Sequence, residues 1–398
     1  MQLVAYGAQD IYLTGNPQIT FFKVVYRRHT NFAVESIEQT INGSVSGGSK
    51  VSVTVARNGD LLSRMYVEVS TDSAAAAGAD GFDLIEYAEV EVGGQIIDKH
   101  YGAWMKIWCD LTHAHDKKTM LNGMVCGNTD CACGAAGNVS VIPLQFWFCR
   151  NPGLALPLIA LQYHEVKLNI KFCSPAASVK IVGAEVWCDY IFLDTDERRR
   201  FAQVSHEYLI EQVQYNNGAD ISSAVNLRFN HPVKELVWRA MDVSSGCCNK
   251  AAGQADICDV VLQLNGHDRF RKRSGEYFSV TQRYEHHTGA ASSVDVAATI
   301  AATSAAAGDG GAALKDALVH ADVKKTNPCV DAGTVYCYSF ALKPEEHQPS
   351  GTCNFSRIDN AVMQVSQVGT AAKKLDVYAV NYNVLRIMSG MGGLAYSN

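Results

Sequence analysis

The stretch VKLNIKF, Val166 to Phe172, alternates without a break: Val166, Leu168, Ile170 and Phe172 are apolar, while Lys167, Asn169 and Lys171 are polar. A period of two puts every apolar side chain on one face of an extended strand and every polar one on the other. The segment is therefore a strand with one buried face. The same rhythm recurs outward in both directions. Val51, Val53 and Val55 alternate with Ser52 and Thr54; Leu227 and Phe229 sit between polar neighbours, as do Leu262 and Leu264. Tyr378, Val380, Tyr382 and Val384 carry the pattern towards the end of the chain. The run AEVEVGGQII, Ala88 to Ile97, reads as a hairpin, because Gly93-Gly94 supplies the positive φ of a primed turn. Asn216-Asn217-Gly218 reads as a second turn of the same kind. One stretch breaks the rhythm. Trp104, Ile107, Trp108 and Leu111 fall at helical spacing, with Lys106 and Asp110 off that face, which predicts a short amphipathic helix laid over a sheet with its aromatics in a core.

Many short strands, few helices and glycine-rich turns predict an all-β fold of sandwiches or jelly rolls. A chain of 398 residues spans about two or three domains by length. The charged run DTDERRR, Asp194 to Arg200, is the natural seam between two strand-rich halves, each long enough for one eight-stranded jelly roll. No sequence repeat between the halves is legible. Ser70 to Gly81, Leu121 to Val139 and Gly289 to Gly333 are rich in Ala, Gly and small polar residues and read as loops. An insertion of the last one's size is tolerated at the surface, since buried irregular backbone leaves polar groups unpaired.

Composition excludes several classes. With 47% hydrophobic and 19% charged residues the chain is globular rather than disordered. A net charge of -6 disfavours coating of DNA, because neutralising phosphates requires clustered Lys and Arg. The 13 cysteines are odd in number, and MQLVAYGAQD lacks the basic and apolar regions of a signal peptide, so thiols in a reducing compartment are expected rather than disulfides. The most apolar run, Leu154 to Leu161, is short and broken by Pro157 and reads as a buried segment of a soluble protein.

Six blocks carry a resemblance: GAQDIYLTGNPQITFFKVVYRRHTNF (Gly7 to Phe32), PLQFWFCRNPGLALPLIALQYHEVKLNI (Pro143 to Ile170), LDTDERRRFAQVSHEYLIEQVQ (Leu193 to Gln214), LQLNGHDRF (Leu262 to Phe270), YSFALKPEEHQPSGTCNFSRID (Tyr338 to Asp359) and YAVNYNVLRIMSGMGGLAYSN (Tyr378 to Asn398). In order and over nearly the whole chain they resemble the major capsid proteins of nucleocytoplasmic large DNA viruses, the double jelly-roll capsid family. The resemblance implies two consecutive eight-stranded jelly rolls packed side by side with a few short helices in loops. It divides the chain into an N-terminal arm (1–24), a first jelly roll (25–200) and a second (201–398). It implies no enzymatic activity, no cofactor, and a homotrimer that forms pseudo-hexagonal capsomers tiling a large icosahedral shell. Its implied partners are neighbouring trimers, minor capsid and penton proteins, and the internal membrane side through the arm, with no direct genome binding. The place is the virion capsid, assembled in the host cytoplasm.

Within the arm and just beyond it, Tyr12, Phe21, Phe22 and Tyr26 stand beside Lys23, Arg27, Arg28 and His29, the mixture of aromatics and cations suited to docking on neighbours. Packing of the same aromatics under the chain's own first jelly roll is the other reading. The segment Gly289 to Gly333 departs from the family, in which His-His-Thr lies nearer Tyr-Ser-Phe; the expectation is a loop on the capsid exterior, with Ala313 to Val319 a short helix in it.

Catalytic chemistry finds little footing. His164-Glu165 and His206-Glu207 lack the second histidine of a zinc-protease helix, and no nucleophile elbow or phosphate loop is present. Asp194-x-Asp196 reads as a solvated linker rather than a cation site. Cys126, Cys131 and Cys133, with Cys109, His113 and His115 upstream, form the one candidate zinc cluster, set against a plain cysteine-bearing loop because the spacing is not a standard knuckle. Arg269, Arg271, Lys272 and Arg273 read as a solvated basic turn paired with Asp268 and Glu276, with an inter-subunit salt-bridge role open. Asn42, Asn138 and Asn354 satisfy the glycosylation sequon and, without an ER route, read as accidental, with exterior decoration open. A glycan-binding host-attachment protein is the alternative function. A cupin-type enzyme is a weaker one, since His113-x-His115 lies at a helix end.

Overall fold

The computed structural model describes residues 7–9, 14–17, 29–72, 81–125, 138–173, 180–220, 224–242, 257–289, 335–367 and 373–396. Tyr12, Phe21, Phe22, Tyr26, Arg27, Arg28, the three cysteines of the zinc candidate and the segment 290–333 lie outside them.

The first half supplies β1 (Phe32–Gln39), β2 (Ile41–Asn42), β3 (Lys50–Thr54), β4 (Leu61–Thr71), β5 (Ile85–Val92), β6 (Gln95–Tyr101), β7 (Asn138–Pro143), β8 (Leu156–Pro157), β9 (Val166–Phe172) and β10 (Ile181–Leu193). They form two antiparallel sheets, ordered β1-β10-β4-β7 and β2-β3-β9-β5-β6. The second half supplies β11 (His206–Asp220), β12 (Val225–Asn226), β13 (Pro232–Asp242), β14 (Ile257–Leu264), β15 (His267–Asp268), β16 (Arg273–Ser274), β17 (Tyr336–Ser339), β18 (Cys353–Asn354), β19 (Ala361–Gln367), β20 (Lys373–Met388) and β21 (Met391–Leu394). Its sheets run β11-β20-β13-β17 and β12-β19-β14-β15. The order is the same in both halves. β1, β10, β4 and β7 correspond to β11, β20, β13 and β17, and even the short β8 on β4 has its counterpart in β18 on β13. Each half is a jelly roll, and the repeat that the residues hide is plain in the pairing.

The alternating segments form strands because one face meets a core. In β3 and β9 the apolar set (Val51, Val53, Val166, Leu168, Ile170, Phe172) is buried, and Lys50 pairs across with Lys171 on the outer face. The Gly93-Gly94 hairpin forms as expected, joining β5 to β6 with φ of 58° and 88°. A Cβ on Gly93 would meet the His164 ring at 2.3 Å, so this position is glycine for space as well as for φ. Leu156, Leu158 and Leu161 are buried, as the apolar run suggested. Among the described residues no helix is long and apolar enough to cross a membrane.

Five helices are labelled: α1 (Gly102–Thr112), α2 (His115–Val125), α3 (Trp147–Arg150), α4 (Thr195–Gln203) and α5 (Gln282–His286), the last continuing a π turn over Tyr277–Thr281. Several expectations are corrected here. Leu121 to Val125 is the end of α2, Ser70 and Thr71 belong to β4, and Val139 lies in β7, so those loops are shorter than their composition suggested. DTDERRR is solvated and joins β10 to β11, as read, but it is helical: Asp194 Oδ1 accepts the Thr195 N–H at 2.7 Å, Asp196 and Glu197 occupy the first turn of α4 and Arg200 the last, a charge order that suits the helix dipole. Asn216-Asn217-Gly218 makes no hairpin. β11 runs through it, and the ladder to β20 slips between Asn216 and Ala219, so the extra residue is a β-bulge. β20 is buried on both faces from Leu375 to Asn383, because it sits mid-sheet with a core on one side and α1 on the other. Lys106 and Asp110 are buried as well, so α1 has no solvent face.

Candidate functional site: the seam between the jelly rolls

Helix α1 is where the halves meet. Its Met105 and Cys109 belong to the core of the first jelly roll. Trp104, Ile107, Trp108 and Leu111 turn the other way and pack on Val237, Cys337, Tyr378 and Val380, the outer face of the second jelly roll's β11-β20-β13-β17 sheet. An aromatic chain runs along the contact: Tyr101 to Tyr215 at 4.6 Å, Tyr215 to Tyr378 at 4.8 Å, Tyr378 to Trp104 at 5.2 Å. Such pairs add about 0.5–1.5 kcal/mol each beyond their buried area.

Buried charge brackets this apolar patch at both ends. At one end Glu211 of β11 accepts from Arg150 of α3 at 2.9 Å and lies 2.8 Å from Lys234 of β13, whose side chain is fully buried. Arg150 also stacks on Trp108, 3.8 Å from the ring centre. Burial pushes the Glu211 carboxyl up, but Lys234, His347 and Arg150 outweigh it and hold it at about 2. At the other end Asp110 of α1 pairs with Arg283 of α5 at 3.1 Å and with Lys118 of α2. Arg283 closes the corner by donating to the Asp110 carbonyl at 2.7 Å and the Gly289 carbonyl at 2.9 Å. Next to it, His287 stands 3.3 Å from Glu235 and 3.1 Å from Glu345; burial pulls its pKa down, yet hydrogen bonds to Cys337, Glu235 and Glu345 push it up to about 12. Backbone joins in: Asp98 accepts the Val213 N–H at 3.1 Å, and Gln212 donates to the Ile97 carbonyl.

Removing one partner from a buried pair costs about 3–5 kcal/mol, whereas a matched apolar set is no weaker than the intact pair. These pairs therefore add little net stability. A docking that left these charges buried but unpaired would carry that cost.

None of the sequence's candidate residues builds this seam except through the helix stripe. Asn42 is exposed at the end of β2, and Asn354 Oδ1 accepts the Ser356 N–H at 3.0 Å. Asn138 begins β7, and its side chain lies outside the description. The basic turn is only partly paired as read: Lys272 meets Asp259 at 2.9 Å rather than Asp268 or Glu276, and Arg273 stacks on Tyr277 at 3.9 Å. Cys109 is buried in a core, and His113 caps the end of α1, its pKa lowered by burial and then by Lys117. Among the described residues no group of three His, Cys, Asp or Glu side chains is placed to hold a metal ion. The seam's own residues, Arg150, Glu211, Lys234, Glu235, Arg283 and His287, went unread. Their signal was there: lone charges inside apolar strand runs, as in VKELVW, which are expensive unless paired.

The two halves also match known families in succession. The model described as "Major capsid protein N-terminus" matches residues 20–194, and the one described as "Large eukaryotic DNA virus major capsid protein" matches 197–294 and 324–393. The chain is 52% identical over 415 residues to the major capsid protein of Pyramimonas orientalis virus, covering 100% of this chain and 99% of that one. It is 40% identical over 472 residues to that of Paramecium bursaria Chlorella virus 1, with the same coverage. The quasi-atomic model of the PBCV-1 virus capsid superposes with a TM-score of 0.72 at 36% identity, over 95% of this chain and 100% of that one. The Faustovirus major capsid protein, at 11% identity and a TM-score of 0.66, shares the fold. These homologues are structural proteins of virions and not enzymes, as the scarcity of catalytic groups led one to expect. The chain belongs to the major capsid proteins of large eukaryotic DNA viruses.

Proposed function

We propose that this capsid protein works as a homotrimer whose six jelly rolls make a pseudo-hexagonal capsomer, the tile of an icosahedral shell. The observation that carries this reading is the repeated sheet order locked by a buried seam: two equivalent modules at one fixed angle give a chain that can close a ring three copies at a time. A rigid intramolecular angle matters because a lattice tolerates little variation in tile shape. In this reading residues 1–24 are an arm carrying Tyr12, with Phe21, Phe22, Tyr26, Arg27 and Arg28 at and just past its root. The arm docks on neighbouring subunits, on minor capsid and penton proteins and on the internal membrane side. Residues 25–200 and 201–398 are the two modules, the loop Gly289 to Gly333 lies outside the shell, and assembly takes place in the host cytoplasm. The glycan-binding reading gains nothing from the comparisons.

Light scattering on the purified chain tests the core of this. A particle of three times 43.2 kDa with a hexagonal outline in electron micrographs is expected. A monomer at assembly concentrations overturns it. Deleting Met1 to Thr20 separates the roles of the arm: trimers that form and fail to assemble support docking, while insoluble protein means the aromatics belong to the first module's core.

A further inference from the structure

The aromatic chain of the seam continues at both ends. On α1, Trp104 and Trp108 lie 5.8 Å apart, and on the other side Tyr101 meets Tyr87, its partner across β5 and β6, at 6.4 Å. Six rings therefore follow one another from two buried indoles, through Tyr378, Tyr215 and Tyr101, to Tyr87. Tyr87 is half-buried among Lys50, Lys99 and Lys171 and reaches solvent. Packing accounts for rings in contact. It does not account for the way their polar ends are partnered.

Two members of the chain hold their protons in opposite ways. Trp104 is buried, and among the described residues its Nε1 has no hydrogen-bond partner. An indole N–H only donates, so Trp104 stripped of an electron has no acceptor for its proton. Tyr215 has one: its hydroxyl donates to Asp376 Oδ1 at 2.7 Å, and Asp376 is buried with Arg239 3.5 Å from its other oxygen. In the resting protein burial, and then Tyr378 and Asp376, raise the pKa of the Tyr215 phenol, so the proton stays on its oxygen. Loss of an electron reverses this. An oxidised phenol is a strong acid, and a carboxylate already hydrogen-bonded to it takes the proton with little motion. Charge along the chain favours the same position. Arg150 stacks on Trp108 at 3.8 Å and Lys99 stands 3.7 Å from the Tyr87 ring centre, so a positive hole is repelled at both ends and attracted by Asp376 between them.

We infer that these six rings carry oxidising equivalents out of the seam: an electron lost from Trp104 or Trp108 is replaced through Tyr378 from Tyr215, whose phenol proton passes to Asp376, and the hole leaves through Tyr101 and Tyr87. The oxidant is a one-electron acceptor that takes the electron from a light-excited indole. The reductant is a one-electron donor in solvent, an ascorbate or a thiolate, which supplies an electron at Tyr87. As that electron reaches Tyr215, Asp376 returns the proton. One electron has left and one has come back, with no bond of the seam broken. The indoles that join the two jelly rolls are thus kept from the irreversible oxidation that a radical resting on them would undergo.

The test uses the full chain, frozen with a cobalt(III) ammine as electron acceptor and irradiated at the red edge of the indole absorption, which spares phenols. Electron paramagnetic resonance is expected to show a tyrosyl signal in the wild type. Tyr215→Phe keeps the ring and its packing and is expected to lose a share of that signal, recovered as a tryptophanyl one. Tyr163→Phe, an exposed tyrosine outside the chain, is expected to change nothing. A tyrosyl yield in Tyr215→Phe equal to the wild type's overturns the assignment. Heavy water, applied to the wild type in solution, is expected to slow the appearance of the tyrosyl radical; an unchanged rate removes Asp376 from the step. Ascorbate is expected to quench the radical more slowly in Tyr101→Phe, where the path to the surface is cut, and equal quenching overturns the exit through Tyr87.

Discussion

Helix α1 and the π turn with α5 occupy one topological slot in two copies of the same fold, yet α1 is buried on all sides while the π turn and α5 show Val280 and Tyr284 to solvent. The difference is not one of helix length alone, since both helices are short. It is one of what lies across from them. Within a single chain the first jelly roll has the second beside it, and the second has nothing beyond it. A repeated module thus leaves one such face covered and its counterpart uncovered within the chain.

That contrast is breakable at several strengths. Asp110→Ala leaves Arg283 and Lys118 buried without their counter-charge and is expected to cost about 3–5 kcal/mol in chemical denaturation. A loss under 1 kcal/mol would mean the two halves hold their angle without it. The matched pair Leu111→Ala and Tyr284→Ala is sharper. The buried leucine is expected to cost about 2–5 kcal/mol, whereas the exposed tyrosine stays within about 0.5 kcal/mol when measured on monomer. Equal costs would erase the distinction between filled and open slots.

Acid probes the filled seam alone. Because Glu211 is held at about 2 against an ordinary 4.5, its contribution is present above pH 4.5 and is lost as pH falls towards 2. The drop in thermal midpoint over that window is expected to be steeper in the wild type than in Glu211→Gln. Parallel curves would show that another group carries the acid sensitivity. At the small end, Lys272→Ala removes an ion pair on the surface and is expected to leave the thermal midpoint unchanged, since exposed pairs contribute little. A clear drop would place that turn inside an intramolecular contact.

Much of the fold was legible in the residues, and the manner of the misses is instructive. VKLNIKF and the Gly93-Gly94 hairpin were readable because alternation and positive φ are local demands. The helix stripe from Trp104 to Leu111 was readable for the same reason. Asn216-Asn217-Gly218 misled because a bulge and a turn ask for the same residues, and only the pairing with β20 tells them apart. DTDERRR was read only as a charged link between the halves and its helix was missed, although Asp194 and the order of acids before bases mark a capped helix. Lys106 and Asp110 were placed off the apolar face, and yet they are buried, because helical spacing shows only which residues share a face, not how many faces are covered.

By itself the sequence determined the strand-rich class, the position of the hairpin and the helix, and membership in the capsid family, since each rests on periodicity or on blocks contiguous in the chain. Tertiary structure alone decided that both halves share one sheet order, that Glu211, Lys234 and Arg150 meet, and that one of two equivalent helices is left uncovered. Those facts join residues as distant in the chain as Trp104 and Tyr378, and burial against a distant neighbour leaves no mark on the residues in between.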